Sequence, residues 1–181
     1  MLCALFACKE SGNNDEKELS KNEPAETAEI REIWTKEKAN SWYDEQPWLV
    51  GANFNPSTAI NQLEMWQTET FDPETIDKEL GWAEDIGMNT MRVYLHDLLH
   101  KNDAEGLYTR MDKFLEIADN HNMKILFVLF DSCWDPFPKA GEQRDPKPHV
   151  HNSGWVQSPG QEVLQDSSQY GRLEKYEKET V

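Results

Sequence analysis

The rhythm of apolar positions changes several times along the chain, and each change predicts an element. Residues 9–47 are crowded with Glu, Lys and Asn, and sustained apolar periodicity begins near Trp48. Inside the polar part, REIWTKEKANSWY (31–43) fits a short amphipathic helix. It would use Ile33, Trp34, Ala39 and Trp42 or Tyr43, and Pro47 would stop it. WLVGANF (Trp48–Phe54) predicts a first buried strand. A loop follows, with a helical turn near Leu63–Trp66.

DPETIDKELGWAEDIG predicts a helix with clear ends. Asp72 can cap it, Pro73 suits its first turn, and Gly87 suits its C-terminal end. Ile76, Leu80, Ala83 and Ile86 recur at helical spacing between them. MNTMRVYLH (Met88–His96) predicts a second strand. A loop with Asp103 and Gly106 then leads to a second helix, about Tyr108–His121, with Met111, Leu115 and Ala118 on one face. MKILFVLF (Met123–Phe130) predicts a third strand, and its nearly continuous apolar character suits cover on both faces. Asp131–Gln165 carries Pro136, Pro138, Pro146, Pro148 and Pro159, and predicts a large ordered loop. A third helix starts near Asp166.

Strand, helix, strand, helix, strand, helix is the order of an α/β chain, either a doubly wound sheet or a TIM barrel. Phosphate-binding glycines would favour the first. VGANFNPS offers one glycine, and neither G-x-G-x-x-G nor G-x-x-x-x-G-K-[ST] occurs. A small nucleotide-binding α/β protein is therefore the weaker reading. The barrel gains from the polar residues at each strand's C-terminal end. Asn53 and Asn55 follow the first strand, Arg92, His96 and Asp97 finish the second, and Asp131, Trp134 and Asp135 follow the third. In a (β/α)8 barrel all three groups face one rim, where active sites lie.

Charge narrows the partners. The 181 residues carry 34 acids against 18 bases, a formal net charge of -16, which disfavours nucleic acid or an anionic membrane surface. A neutral ligand such as a carbohydrate is compatible, and the 7 tryptophans include candidates for stacking on a sugar ring. No apolar run is long enough for a transmembrane helix. The start is different. LFAC (Leu5–Cys8) is similar to a bacterial lipoprotein box with a bulky Phe6, and the polar stretch after it suits a tether. Residues 1–30 thus read as a truncated lipoprotein-like leader and disordered linker. Cys8 would be a lipid anchor, and the location the cell envelope or the extracellular space.

The 3 cysteines form no disulfide framework. Cys133, His149 and His151 are too loosely spaced for zinc, and neither a metal nor another cofactor is expected. Cys133 has acidic neighbours and no adjacent base, so it reads as a small packing residue rather than a nucleophile. Arg92, on an otherwise apolar strand, calls for a carboxylate, and Asp131 is one candidate. His96 and Asp97 can hold a sugar hydroxyl or each other. Trp34, Trp42, Trp48 and Trp82 read as packing.

NTMRVYLHDLL and VLFDSCWDP…HNSGWVQSPG carry a family likeness. With the sequence around them, about residues 34–181, they resemble the front part of bacterial cellulase-like glycoside hydrolases of the retaining (β/α)8 clan. Members are labelled 1,4-beta-xylanases or cellulase-family glycosyl hydrolases. The resemblance implies that Arg92 supports a nucleophilic carboxylate and that Asn53, Trp66, Asp131, Trp134 and Trp155 line sugar subsites. It also implies an acid/base Glu after a fourth strand, in an Asn–Glu pair, and a nucleophilic Glu after a seventh. This chain has no Asn–Glu pair at a strand end. Retaining hydrolysis needs two carboxylates about 5–5.5 Å apart. The expectation is therefore an incomplete TIM barrel of about three βα units spanning 31–181, from a split or fragmentary gene, inactive alone while its intact parent is the enzyme. A non-catalytic carbohydrate-binding remnant is the alternative.

Overall fold

The structure, a computed structural model, describes residues 32–181. The described residues fall into two units, 32–46 and 47–181. The leader and the Cys8 anchor expected from the sequence lie outside the described residues. In the first unit, α1 (Lys36–Asp44) starts where the Thr35 hydroxyl accepts the Lys38 amide. Trp34 and Trp42 meet edge-on at 6.2 Å, yet both stay half exposed.

The second unit is mixed α/β, built on an open parallel sheet of three strands in the order β1-β2-β3. The strands are β1 (Gly51–Phe54), β2 (Thr90–Tyr94) and β3 (Lys124–Val128), each shorter than its apolar run. At the front of β1 the ladder passes to a side chain. Asn89 Oδ1 accepts the Val50 amide at 2.8 Å, and Asn89 Nδ2 donates to the Trp48 carbonyl at 2.9 Å. Gly51 lies opposite Thr90, and a Cβ at Gly51 would collide with the Thr90 carbonyl.

Helices cover one face of this sheet. They are α2 (Gln62–Trp66), α3 (Pro73–Asp85), α4 (Asp97–Asn120) and, after the short α5 (Gln161–Gln165), α6 (Tyr170–Thr180). Asp72 caps α3 by accepting the Thr75 amide, with Pro73 in its first turn, as the sequence predicts. α4 starts earlier than expected. Asp103 has non-helical angles (φ -158, ψ 73), but its Oδ1 accepts the Gly106 amide at 2.9 Å and restarts the helix, so the predicted loop is a kink. A Cβ at Gly106 would collide with the Asp103 carboxylate.

Residue parity divides the strands between two environments. Phe54, Met91 and Val93 are buried beneath the helices with Leu63, Trp66, Ile76, Leu80, Leu107 and Phe114. The opposite face carries the row Asn53–Arg92–Leu126, aligned by the register, and all three are exposed. Leu126 is 59% exposed, so β3 is not covered on both faces as its composition suggests. Other aromatics expected to pack are also open: Trp48 is 82% exposed, and Trp82 lies under the Lys78 ammonium at 4.7 Å.

Candidate functional site

The C-terminal ends of the strands open into a cleft of about 560 Å³. β1 and the residue after it supply Asn53, Phe54 and Asn55; β2 supplies Arg92 and Tyr94. The loop after β3 contributes Asp131, Cys133 and Trp134, and its far end His151, Asn152 and Trp155. Six of the rim and subsite residues named from the sequence therefore share one cleft: Asn53, Asn55, Arg92, Asp131, Trp134 and Trp155.

That loop is long but ordered, because its backbone pairs with itself. The Asp131 amide donates to the Ser158 carbonyl at 2.6 Å, and the Ser158 amide returns to Asp131 at 2.7 Å. Farther out, the Asp135 amide donates to the Trp155 carbonyl at 3.3 Å, and the Asp135 carbonyl accepts the Gln157 amide at 2.8 Å. These bridges bring Trp155 back beside Trp134, with ring centroids 6.2 Å apart and planes at 60°. Trp155 also meets Tyr94 edge-on at 5.2 Å, and Trp134 meets His151 at 6.1 Å. The result is an aromatic wall fixed at both ends, with polar groups opposite.

Arg92 is exposed, contrary to the buried cation expected of an apolar strand. Its guanidinium lies 4.9 Å above the Tyr94 ring, and it makes no ion pair with Asp131. Asp131 Oδ2 instead accepts the indole N–H of Trp134 at 3.0 Å, which orients that ring. Asp135 faces away from the cleft and pairs with Arg144 at 3.1 Å. Cys133 is exposed at the cleft wall rather than packed inside.

Three expected subsite residues lie in the interior. Trp66 is fully buried, donates its indole N–H to the Tyr94 carbonyl at 2.9 Å, and meets Phe114 edge-on at 5.3 Å. His96 is the N-cap of α4: Nδ1 lies 3.2 Å from the Leu98 amide and Nε2 lies 3.0 Å from the Gln157 carbonyl. Asp97 is fully buried beside it, 3.1 Å from His96 and 2.8 Å from the Arg172 guanidinium, and accepts the Ser158 hydroxyl at 3.0 Å. Burial pushes the Asp97 carboxyl up, but the His96 and Arg172 contacts outweigh it and hold it below the usual carboxylate range. His96 and Asp97 thus join α4, the loop's return and α6, and they touch the cleft through neither side chain.

Tyr94 and Asn152, which the sequence reading did not single out, also line the cleft. Tyr94 shares the face of Arg92 two residues on, which strand alternation could have shown. Asn152 sits at φ 50, a left-handed position that asparagine tolerates. No group of three or more His, Cys, Asp or Glu among the described residues is arranged to hold a metal ion. No family model, curated protein or solved structure matches this chain. No described helix is long and apolar enough to cross a membrane.

Proposed function

We propose that this chain is the sugar-binding portion of a retaining glycoside hydrolase of (β/α)8 architecture, acting on O-glycosyl bonds of a β-linked oligosaccharide or polysaccharide. The observation that carries the reading is the cleft wall formed by Trp134 and Trp155 at the C-terminal end of a parallel sheet. Flat aromatic faces shed water well against the apolar faces of pyranose rings. Asn53, Asn55, Asn152 and Arg92 supply donors and acceptors for the hydroxyls around the ring edge. A pocket that is partly apolar with a few convergent polar groups is the usual form of a small-ligand site.

The barrel part of the proposal draws support from the sheet. Strands β1 and β3 each have one unpaired edge, and the face bearing Leu126 is open among the described residues. Parallel sheets are normally covered on both faces, so this face suits further strands and their side chains. Arg92 projects from it and, in this reading, orients a nucleophilic carboxylate supplied by those strands. The lipoprotein-like LFAC stretch adds a place: the cell envelope or beyond, with Cys8 as anchor.

Hydrolysis is a separate matter from binding. Asp131 is the one carboxylate lining the cleft among the described residues, and it is committed to Trp134. Retention needs a second carboxylate about 5–5.5 Å away across the scissile bond. The chain alone is therefore expected to bind without cleaving. Titration of the full chain with cello-, xylo- and manno-oligosaccharides, with reducing ends assayed in the same samples, tests this. Saturable binding of at least one series with no new reducing ends is expected. Failure to bind any of them would defeat the proposal, and cleavage by the chain alone would overturn the division of labour.

A further inference from the structure

The cleft's second tryptophan is held by side chains that do not line the cleft. Asn61 Nδ2 donates to the carbonyl of Gly154 at 2.8 Å, immediately before Trp155. Gln62 Nε2 donates to the carbonyl of Val156 at 2.6 Å, immediately after it. Both amides are buried, Asn61 at 0% and Gln62 at 1% exposure. Two flanking carbonyls fixed from one side leave the backbone at Trp155 little freedom to rotate. Close packing reinforces this, because a Cβ at Gly154 would collide with Ile60.

The two amides differ in their other duties. Asn61 Oδ1 also caps α2, accepting the Leu63 and Glu64 amides at 3.0 and 3.1 Å. Gln62 Oε1 is buried with no hydrogen-bond partner in the protein, so its stabilising contact is the one to Val156. A buried polar group carrying an unmet acceptor costs free energy, so its donor contact must do something that an apolar side chain would not. A third amide contacts the same loop elsewhere. Gln67 exchanges two hydrogen bonds with Gly141, at 3.1 and 2.6 Å, far along the loop from Trp155.

We propose that Asn61 and Gln62 are positioning residues for ligand binding: their buried amides pin the carbonyls on either side of Trp155 and so preset its ring as a sugar platform. This rests on the carbohydrate reading of the cleft. It adds that the platform is set from the start of α2 as well as by the loop's own backbone bridges. A preset platform loses less rotamer freedom when it binds, which is how preorganisation raises affinity.

The test uses the full chain labelled with 5-fluorotryptophan, the Trp155 resonance being assigned by its loss in W155F. Asn61→Asp keeps the cap oxygen but removes the donor that Gly154 and Gln143 share. Gln62→Met keeps the volume and removes the donor to Val156. Gln67→Met breaks the clasp at Gly141 and is the control. Asn61→Asp and Gln62→Met are expected to shift or broaden the Trp155 fluorine signal in ligand-free protein, and Gln67→Met to leave it in place. Oligosaccharide binding should weaken roughly two- to tenfold in the first two variants. On a W155A background, Gln62→Met should add nothing further. An unmoved Trp155 signal in both folded variants would overturn the positioning claim. So would a full additional loss on the W155A background. If W155A itself leaves binding intact, the sugar-binding reading fails, while the ligand-free fluorine result still decides whether the two amides set the ring.

Discussion

The two faces of the three-stranded sheet come from the same strands, one residue apart, and do opposite work. On the helix side, Phe54, Met91 and Val93 are buried in a continuous core with Trp66 and Phe114. On the other side, Asn53, Arg92 and Leu126 form an exposed row that runs up to the aromatic cleft. The first face holds the unit together, and the second is exposed among the described residues. Trp66 and Trp155 make the contrast in one residue type. Trp66 is enclosed and donates to backbone; Trp155 is half-buried and shares a wall with Trp134.

The largest expected effect sharpens that contrast in stability. Trp66→Ala should cost about 3–5 kcal/mol in unfolding free energy, the usual range for removing a fully enclosed large aromatic. Asp97→Ala should cost about 3 kcal/mol, because it removes a fully buried carboxylate and leaves the partly buried Arg172 without it. Arg92→Ala, on the open face, should lie within about 0.5 kcal/mol of the parent. Denaturant melts of the three variants would show it, and a large loss at Arg92 would break the division between the faces.

Asp97 also predicts an acid limb. Its carboxyl is held below the usual range in the folded protein, so its contribution is present above the unfolded carboxylate value. That contribution is lost as pH falls through the lower folded value, and Asp97→Asn should flatten the acid side of the stability curve.

A small effect is expected at the bare sheet face. Leu126→Ser should change the stability of this chain by no more than about 0.5 kcal/mol, since the side chain is mostly in water already. A loss of several times that amount in melts of the isolated chain would mean the face is covered after all.

A further small effect is a pH-dependent clasp on the helix side. His121 lies 2.9 Å from Asp77 and 3.1 Å from Glu84, which joins the end of α4 to α3. Partial burial opposes its charge, but the two carboxylates outweigh that and raise its pKa. The contribution is therefore complete below the unfolded imidazole value and is lost as pH rises through the raised folded value. Both acids are substantially exposed, which limits the effect to under about 1 kcal/mol. His121→Gln should remove the fall in melting temperature between mildly acidic and alkaline pH without altering sugar binding.

Much of this arrangement was legible in the chain because local rules and tertiary structure agree. Asp72, Pro73 and the Ile76–Leu80–Ala83 spacing mark α3 at both levels. The three apolar runs become strands, each trimmed at its ends. Elsewhere one signal had two meanings. Asp103 and Gly106 read as a loop, yet the Asp103 carboxylate recaps the chain and α4 continues past it. His96 and Asp97 stand at a strand's end, where rim residues stand. Their contacts turn on Gln157, Ser158 and Arg172, more than sixty residues later, and no local pattern reveals those. Trp66 and Trp155 are both tryptophans beside amides and small residues. Their different fates depend on the path of the long loop. The amides that steer that path, Asn61 and Gln62, look in sequence like ordinary surface residues of a helix start.

The most direct test of the central claim uses the seven tryptophans as reporters. The indole N–H resonances of 15N-labelled full chain would be followed during titration with the oligosaccharide series that binds. Saturable shifts at Trp134 and Trp155, with Trp66 unmoved, are predicted, and the W134A/W155A double variant should lose the response. Shifts confined to tryptophans outside the cleft, or no shift at any indole at saturating ligand, would contradict the account.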